Sequence, residues 1–397
     1  MKPRLFPSAW RLHLRLGWLL CALLPVQLLA AADDVDAAAR YLAGMPLPAG
    51  SAYQVLTDAH WQGYRQQLDS TWQALEQQRF QPMRQWQAEV LVPRINPGLP
   101  LFYPFGGPDL VHALMLYPQS HDFVLFGLEP PGSLELNPQL PASARHRLLN
   151  SVNWALRDIY QRSYFITGRM SSDLNREELD GVLPLLLVFL ARSGYEVLSF
   201  EEGELTPSGR FLSASTEAAG QDAPDEAAVA GCPRIPSVQV RFRASNNASE
   251  RQLTYVQLDV SDASLGACKA LETYVERLAP VNTFVKSASY LMHYGTFSRI
   301  RSLTLAVSAS LFQDDTGIPY RDLDQADWDV LLFGRYTKPI RDFDGVFQPD
   351  LNQAYRRAAD SIRAADSIDE LPFSMGYHWW TNAQNHLLAT RIDRADH

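Results

Sequence analysis

Two hydrophobic rhythms divide the chain. Across 58–92 the apolar residues Trp61, Tyr64, Leu68, Trp72 and Leu75 recur at spacings of three and four, with glutamines between them. That spacing predicts an amphipathic helix, which Pro82 should end or kink. A shorter helix is expected over 36–42. From residue 100 the runs become continuous: Leu101-Phe-Tyr-Pro-Phe105 reads as a strand, Gly106-Gly107-Pro108-Asp109 as a turn, 109–117 as a helix and Phe123-Val-Leu-Phe-Gly-Leu128 as a second strand. Strand, turn, helix and strand within about 30 residues make a βαβ unit. Further strands are expected at 195–200, 308–313 and 328–334, with helices at 181–193, 297–306 and 351–365. The stretches 238–244 and 252–260 alternate and read as a hairpin.

Continuous rather than alternating apolar strands point to a parallel sheet covered on both faces. The expected architecture is therefore α/β, with a mixed, largely parallel sheet flanked by helices. A helical N-terminal arm (33–95) precedes an α/β domain (96–397). Residues 213–231 hold no large apolar side chain and read as a flexible acidic insert.

In such sheets ligands bind beyond the carboxyl ends of the strands. Asp109, Glu129, Glu201-Glu202 and Asp314-Asp315 each follow an expected strand. Gathered at one edge, Asp109, Glu129, Asp314 and Asp315 would form a catalytic acid/base or cation-binding set. Crowding would raise the pKa of at least one of them. Gly106 and Gly107 would let the backbone approach a ligand, with His112 and Tyr320 as polar neighbours. The plainer reading is that these acids cap helices and close turns, Asp109 above all. Near the C-terminus, Tyr377, His378, Trp379 and Trp380 mix with Asn and Gln. Tyr377 and Trp379 suit stacking on a sugar, or else they close the core.

The segment Tyr103-Pro-Phe-Gly-Gly-Pro-Asp109 with Gly127-Leu-Glu129 resembles the first βαβ unit of a class I methyltransferase: a glycine turn follows one strand and an acid ends the next. The Gly-x-Gly spacing is missing and Pro108 stands in the turn, so the resemblance implies topology and no cofactor. More broadly, Tyr103–Asp109, Phe126-Gly-Leu-Glu-Pro130, Gly181-Val-Leu-Pro-Leu185 and Gln313-Asp-Asp-Thr-Gly-Ile-Pro-Tyr320 resemble a family of exported bacterial proteins with no assigned function. This resemblance covers about residues 97–390, implies one continuous domain there, and carries over no catalytic residue.

The first residues add a compartment. Lys2, Arg4, Arg11 and Arg15 precede a short apolar run that ends in Ala30-Ala31-Ala32, the three parts of a secretory signal. The run is shorter than the roughly 20 residues of a spanning helix and contains Pro25 and Gln27. A signal peptide at 1–32, a mature protein from Asp33, no later membrane segment, and a periplasmic or secreted location are expected. Net charge is −9 over 397 residues, and cleavage removes four bases more, which argues against a nucleic-acid partner. Cys232 and Cys268 would remain, an even pair that an oxidising compartment should bridge. Chain entropy would make that bridge worth roughly 4 kcal/mol.

The sequence has no Gly-x-Ser-x-Gly elbow, His-Glu-x-x-His, phosphate loop or Cys-x-x-Cys, and it names neither a metal nor a cofactor. Two readings stay open: an exported enzyme or binder of envelope carbohydrate or another small molecule, using the acidic loops, or a non-catalytic envelope scaffold.

Overall fold

The computed structural model describes residues 32–392 apart from 135, 167–168, 171–172, 177–178, 216–231, 246, 341–342, 344, 362–367 and 379–383. All of the expected signal but Ala32, most of the acidic insert and Trp379 lie outside the described residues.

The chain folds around one ten-stranded mixed sheet. Its strands are β1 (Leu101–Tyr103), β2 (Asp122–Gly127), β5 (Tyr195–Leu205), β6 (Phe211–Ser213), β7 (Ile235–Ala244), β8 (Glu250–Gln257), β9 (Val281–Val285), β10 (Ser308–Asp314), β11 (Trp328–Gly334) and β12 (Asn385–Arg391). A separate two-stranded ribbon joins β3 (Asn175–Arg176) to β4 (Leu179–Asp180). The order in the large sheet is β11-β12-β10-β9-β1-β2-β8-β7-β5-β6. The five central strands, β10, β9, β1, β2 and β8, are mutually parallel. Antiparallel strands extend both flanks. From β1 the chain builds outward through β2 to β8, then returns to place β9 on the other side of β1. The connections therefore reverse direction between β1 and β9, which makes the carboxyl end of those two strands a topological switch point.

Side-chain alternation across the parallel strands shows why they read as continuously apolar. Leu101, Tyr103, Phe123, Leu125, Tyr255, Phe284 and Phe312 enter the core on one face; Phe102, Val124, Phe126, Val256, Val285 and Leu311 enter the core on the other. Both faces are covered, so neither parity can be polar. The first face carries α1 (Ala32–Leu42), α2 (Ala59–Leu75), α3 (Gln81–Trp86), α4 (Leu110–Leu116), α5 (Ala142–Ala155), α6 (Arg157–Arg162) and α7 (Leu183–Arg192). In α7 every residue from Leu183 to Ala191 is buried, and each large side chain there stabilises the fold by about 1.5–3 kcal/mol. The second face carries α8 (Asp262–Ala267), α9 (Ala270–Leu278), α10 (Ser298–Val307) and α11 (Pro349–Ser361).

The N-terminal helices seat aromatics on the sheet: Trp86 lies 5.1 Å from Phe312 and 5.3 Å from Phe333, ring centre to ring centre. Expected to end or kink the helical run, Pro82 does not end it. It occupies the first turn of α3, and a wider turn over Glu76–Phe80 absorbs the lost donor, with the Gln81 N–H reaching back to the Glu76 carbonyl.

Cys232 and Cys268 are bonded, with Cα atoms 4.6 Å apart. The bridge ties the approach to β7 to the end of α8. One expected strand end is corrected: Glu201 and Glu202 stand in mid-strand in β5, exposed, opposite Gln239 and Val238. They belong to no shared edge.

Candidate functional site at the strand switch point

A cavity of about 620 Å³ opens at the carboxyl ends of β1, β2, β8 and β9. A third of its lining residues are aromatic, including Tyr103, Phe105, Phe126, Tyr164, Phe297 and Tyr377. Gly106, Gly107, Asp109 and Glu129, expected from the sequence, all line it; His112, Asp314, Asp315 and Tyr320 do not.

Glu129 follows β2. It is 5 % exposed, and its carboxylate lies over two glycines. A Cβ on Gly127 would come within 2.6 Å of Glu129 Oε2 and 2.9 Å of Gly107 Cα. Only glycine lets the two loops close to this distance. Burial pushes the Glu129 carboxyl above its ordinary value, opposed by the N–H groups of Glu129 and Leu128 and by the Tyr255 hydroxyl. A raised pKa was expected from crowding of like charges. The structure corrects the cause: desolvation raises it.

Asp109 shows the opposite behaviour. It stands at the start of α4, yet its side chain makes no capping hydrogen bond to the helix backbone. The Tyr103 hydroxyl donates to Oδ2 at 2.7 Å, His112 Nδ1 lies 2.6 Å from Oδ1, and Lys286 forms an ion pair with Oδ2. Burial alone would raise the Asp109 carboxyl, but His112 and Lys286 beside it hold it at about 2. Burial also pushes His112 down to about 4 against the pull of Asp109, so near neutral pH the ring is uncharged. Its Nδ1–H then faces Asp109, and Nε2 accepts from the Ser163 hydroxyl at 3.1 Å. Lys286 donates in addition to the Ser163 carbonyl. One buried cluster thereby joins the ends of β1 and β9 to α4 and to the turn before Tyr164.

The same region concentrates backbone strain. The described non-glycine residues with positive φ are Phe105, Ser163, Ser287, Ser289 and Tyr290, all in or adjoining the cavity wall. Each such residue costs on the order of 1–3 kcal/mol and persists where surrounding contacts enforce it, typically at functional sites. Here the enforcing contacts include the Lys286 bond to Ser163 and the Tyr377 hydroxyl, which donates to the Ser287 carbonyl at 2.9 Å and lies 2.6 Å from Ser289 Oγ.

The acids after β10 have other work. Asp314 Oδ1 accepts from the Thr316 N–H at 2.9 Å and the Thr316 hydroxyl at 2.5 Å, closing the turn. Asp315 Oδ2 accepts from the Tyr290 hydroxyl at 2.5 Å. Both are at most 1 % exposed. Tyr320 is held through its N–H to Gln348 Oε1.

Lys286, Ser163, Tyr164 and Ser289 were not found from the sequence. The run Val281-Asn-Thr-Phe-Val285 just after Pro280 was the available signal for β9, and Lys286 is the residue at that strand's end. Among the described residues no group of three or more His, Cys, Asp or Glu side chains is placed to hold a metal ion, and no helix is long and apolar enough to cross a membrane. No protein-family model, curated protein or solved structure matches the chain.

Proposed function

We propose that this is an exported protein whose switch-point cavity binds a small ligand through the vicinal hydroxyls of a sugar ring, with Glu129 as hydroxyl acceptor and as the acid/base group of a reaction on that ligand. The ring is a free sugar of the cell envelope or the ribose of a nucleoside. Glu129 carries the reading. An acid about 20 residues beyond the glycine turn, at the end of the second strand of a doubly wound sheet, is where such folds hold a ribose. Burial raises its pKa, so the carboxyl holds its proton more readily than a solvated one, as an acid/base group must. The cavity volume lies in the range of small-molecule sites, and its aromatic walls offer faces for a sugar or a base. The charged N-terminal segment, the apolar run after it and the disulfide support export.

Calorimetric titration and thermal shift with adenosine, ribose, glucose and N-acetylglucosamine test this. At least one should bind and raise the melting temperature, since a ligand at about 100 times its Kd adds about 2.7 kcal/mol. Glu129→Gln should weaken that binding at least tenfold and leave the unliganded melting temperature within a few degrees. Silence from every ring-sugar compound at millimolar concentration would refute the reading.

A further inference from the structure

The turn after β1 is where a doubly wound sheet ordinarily cradles phosphate, on free N–H groups at the start of the following helix. In this chain three of those groups are spent. Gly107 N–H donates to the Phe126 carbonyl at 3.1 Å, Asp109 N–H to the Gly106 carbonyl at 3.1 Å and Leu110 N–H to the Pro108 carbonyl at 2.7 Å. Pro108 has no N–H to give. The helix that follows, α4, is only seven residues long.

Side chains do not make up the loss. Among the described residues lining the cavity Lys286 is the sole cation, and its charge is committed to Asp109. The other charged liners are Glu129 and Asp259, both acids. Asp259 is exposed, and its carboxylate accepts from the Ser261 N–H at 2.9 Å. An anion entering this cavity would meet two carboxylates and no uncommitted cation to offset the loss of its water, which is costly. A cation would meet acids and the faces of aromatic rings, both attractive.

Resting on the hydroxyl-binding role of Glu129, we infer that the cavity excludes phosphorylated ligands and takes an uncharged or cationic sugar or nucleoside. The juxtaposition behind this is a glycine turn with three of its N–H groups bonded within the protein, facing two acids and a set of aromatic rings with no uncommitted cation. A charged group on the sugar's exocyclic carbon is therefore the feature by which this site sorts its ligands.

The test compares three nucleosides that differ only at the 5′ position: adenosine, 5′-amino-5′-deoxyadenosine and AMP. Glucose, 6-amino-6-deoxyglucose and glucose 6-phosphate form the parallel set for a free sugar, and whichever set binds identifies the source of the ring. Titrated into the full mature protein, the phosphate should bind at least tenfold more weakly than the neutral parent, and the amine at least as tightly as the parent. Asp259→Asn should narrow the gap between phosphate and parent. A phosphate that binds as well as its parent, or an amine that binds more weakly, would overturn the inference while leaving the role of Glu129 standing. Failure of both sets would remove the parent reading, and this one with it.

Discussion

The loops after β2 and β10 leave the same edge of parallel strands and both carry acids near their start, yet only the first places its acid in the cavity wall. After β10, Asp314 is taken by Thr316 and Asp315 by Tyr290. These carboxylates hold the turn that supports Ala288 and Tyr290, whose N–H groups donate to Thr316. After β2, Glu129 is folded over Gly107 and Gly127 and lines the cavity. Asp109 combines both situations: it lines the cavity, but tyrosine, histidine and lysine hold its oxygens. Position at the strand end brings an acid to the edge; the groups packed around it decide whether it closes a turn or lines the cavity.

The largest effect should come from the held acid. Lys286→Met leaves Asp109 ionised and buried without its cation, and removing one partner of a buried pair costs about 3–5 kcal/mol. Urea unfolding should show that loss, and Asp109→Asn added to Lys286→Met should recover a substantial part of it. A double variant no more stable than the lysine variant alone would mean that Lys286 serves the fold by some route other than this pair.

A smaller loss is expected after β10. Asp314→Ala removes a charged acceptor of two hydrogen bonds, worth about 1.5–3 kcal/mol each at most and less once water enters. Stability should fall by roughly 1–3 kcal/mol while ligand affinity stays within about twofold. Affinity that fell with Asp314→Ala as it does with Glu129→Gln would erase the distinction between the two loops.

The sequence made the β1–α4–β2 unit legible because its apolar runs are long and its turn carries two glycines. It also placed Asp109 and Glu129 beside one another at the edge. It concealed β9. Asn282 and Thr283 look like loop residues, yet both are buried, because Asn282 donates to the Asn96 carbonyl and accepts from Ser310, and Thr283 pairs with Ser308. Polarity satisfied across strands cannot be told from polarity facing water by periodicity alone. With β9 hidden, Lys286 was hidden too, and Asp109 lacked the partner that sets its chemistry. The β10 acids misled for the converse reason: Thr316 and Tyr290 that consume them carry no signature of doing so.

The smallest effect is the most specific to the contrast between Glu129 and Asp109. Glu129 has a folded-state pKa above its ordinary value of 4.5, so the folded chain holds this proton more tightly than the unfolded chain. Stability linked to it is greatest when the group is protonated and declines as pH rises from the ordinary value through the raised one. Asp109 has the reverse sign. Its pKa is lowered from 3.8 to about 2, so its contribution is present above 3.8 and is lost as pH falls toward 2. The two windows lie on opposite sides of pH 4. Unfolding free energies of the wild type and Glu129→Gln, measured from pH 4 to 7, should therefore diverge in favour of the variant as pH rises. The divergence should reach no more than about 1.4 kcal/mol for every tenfold by which folding tightens the hold of Glu129 on its proton. Below pH 4 both proteins should lose stability in parallel, because both retain Asp109. A difference that stays flat from pH 4 to 7 would mean that Glu129 is better solvated than its place over Gly107 and Gly127 implies, and would return it to the company of the acids after β10.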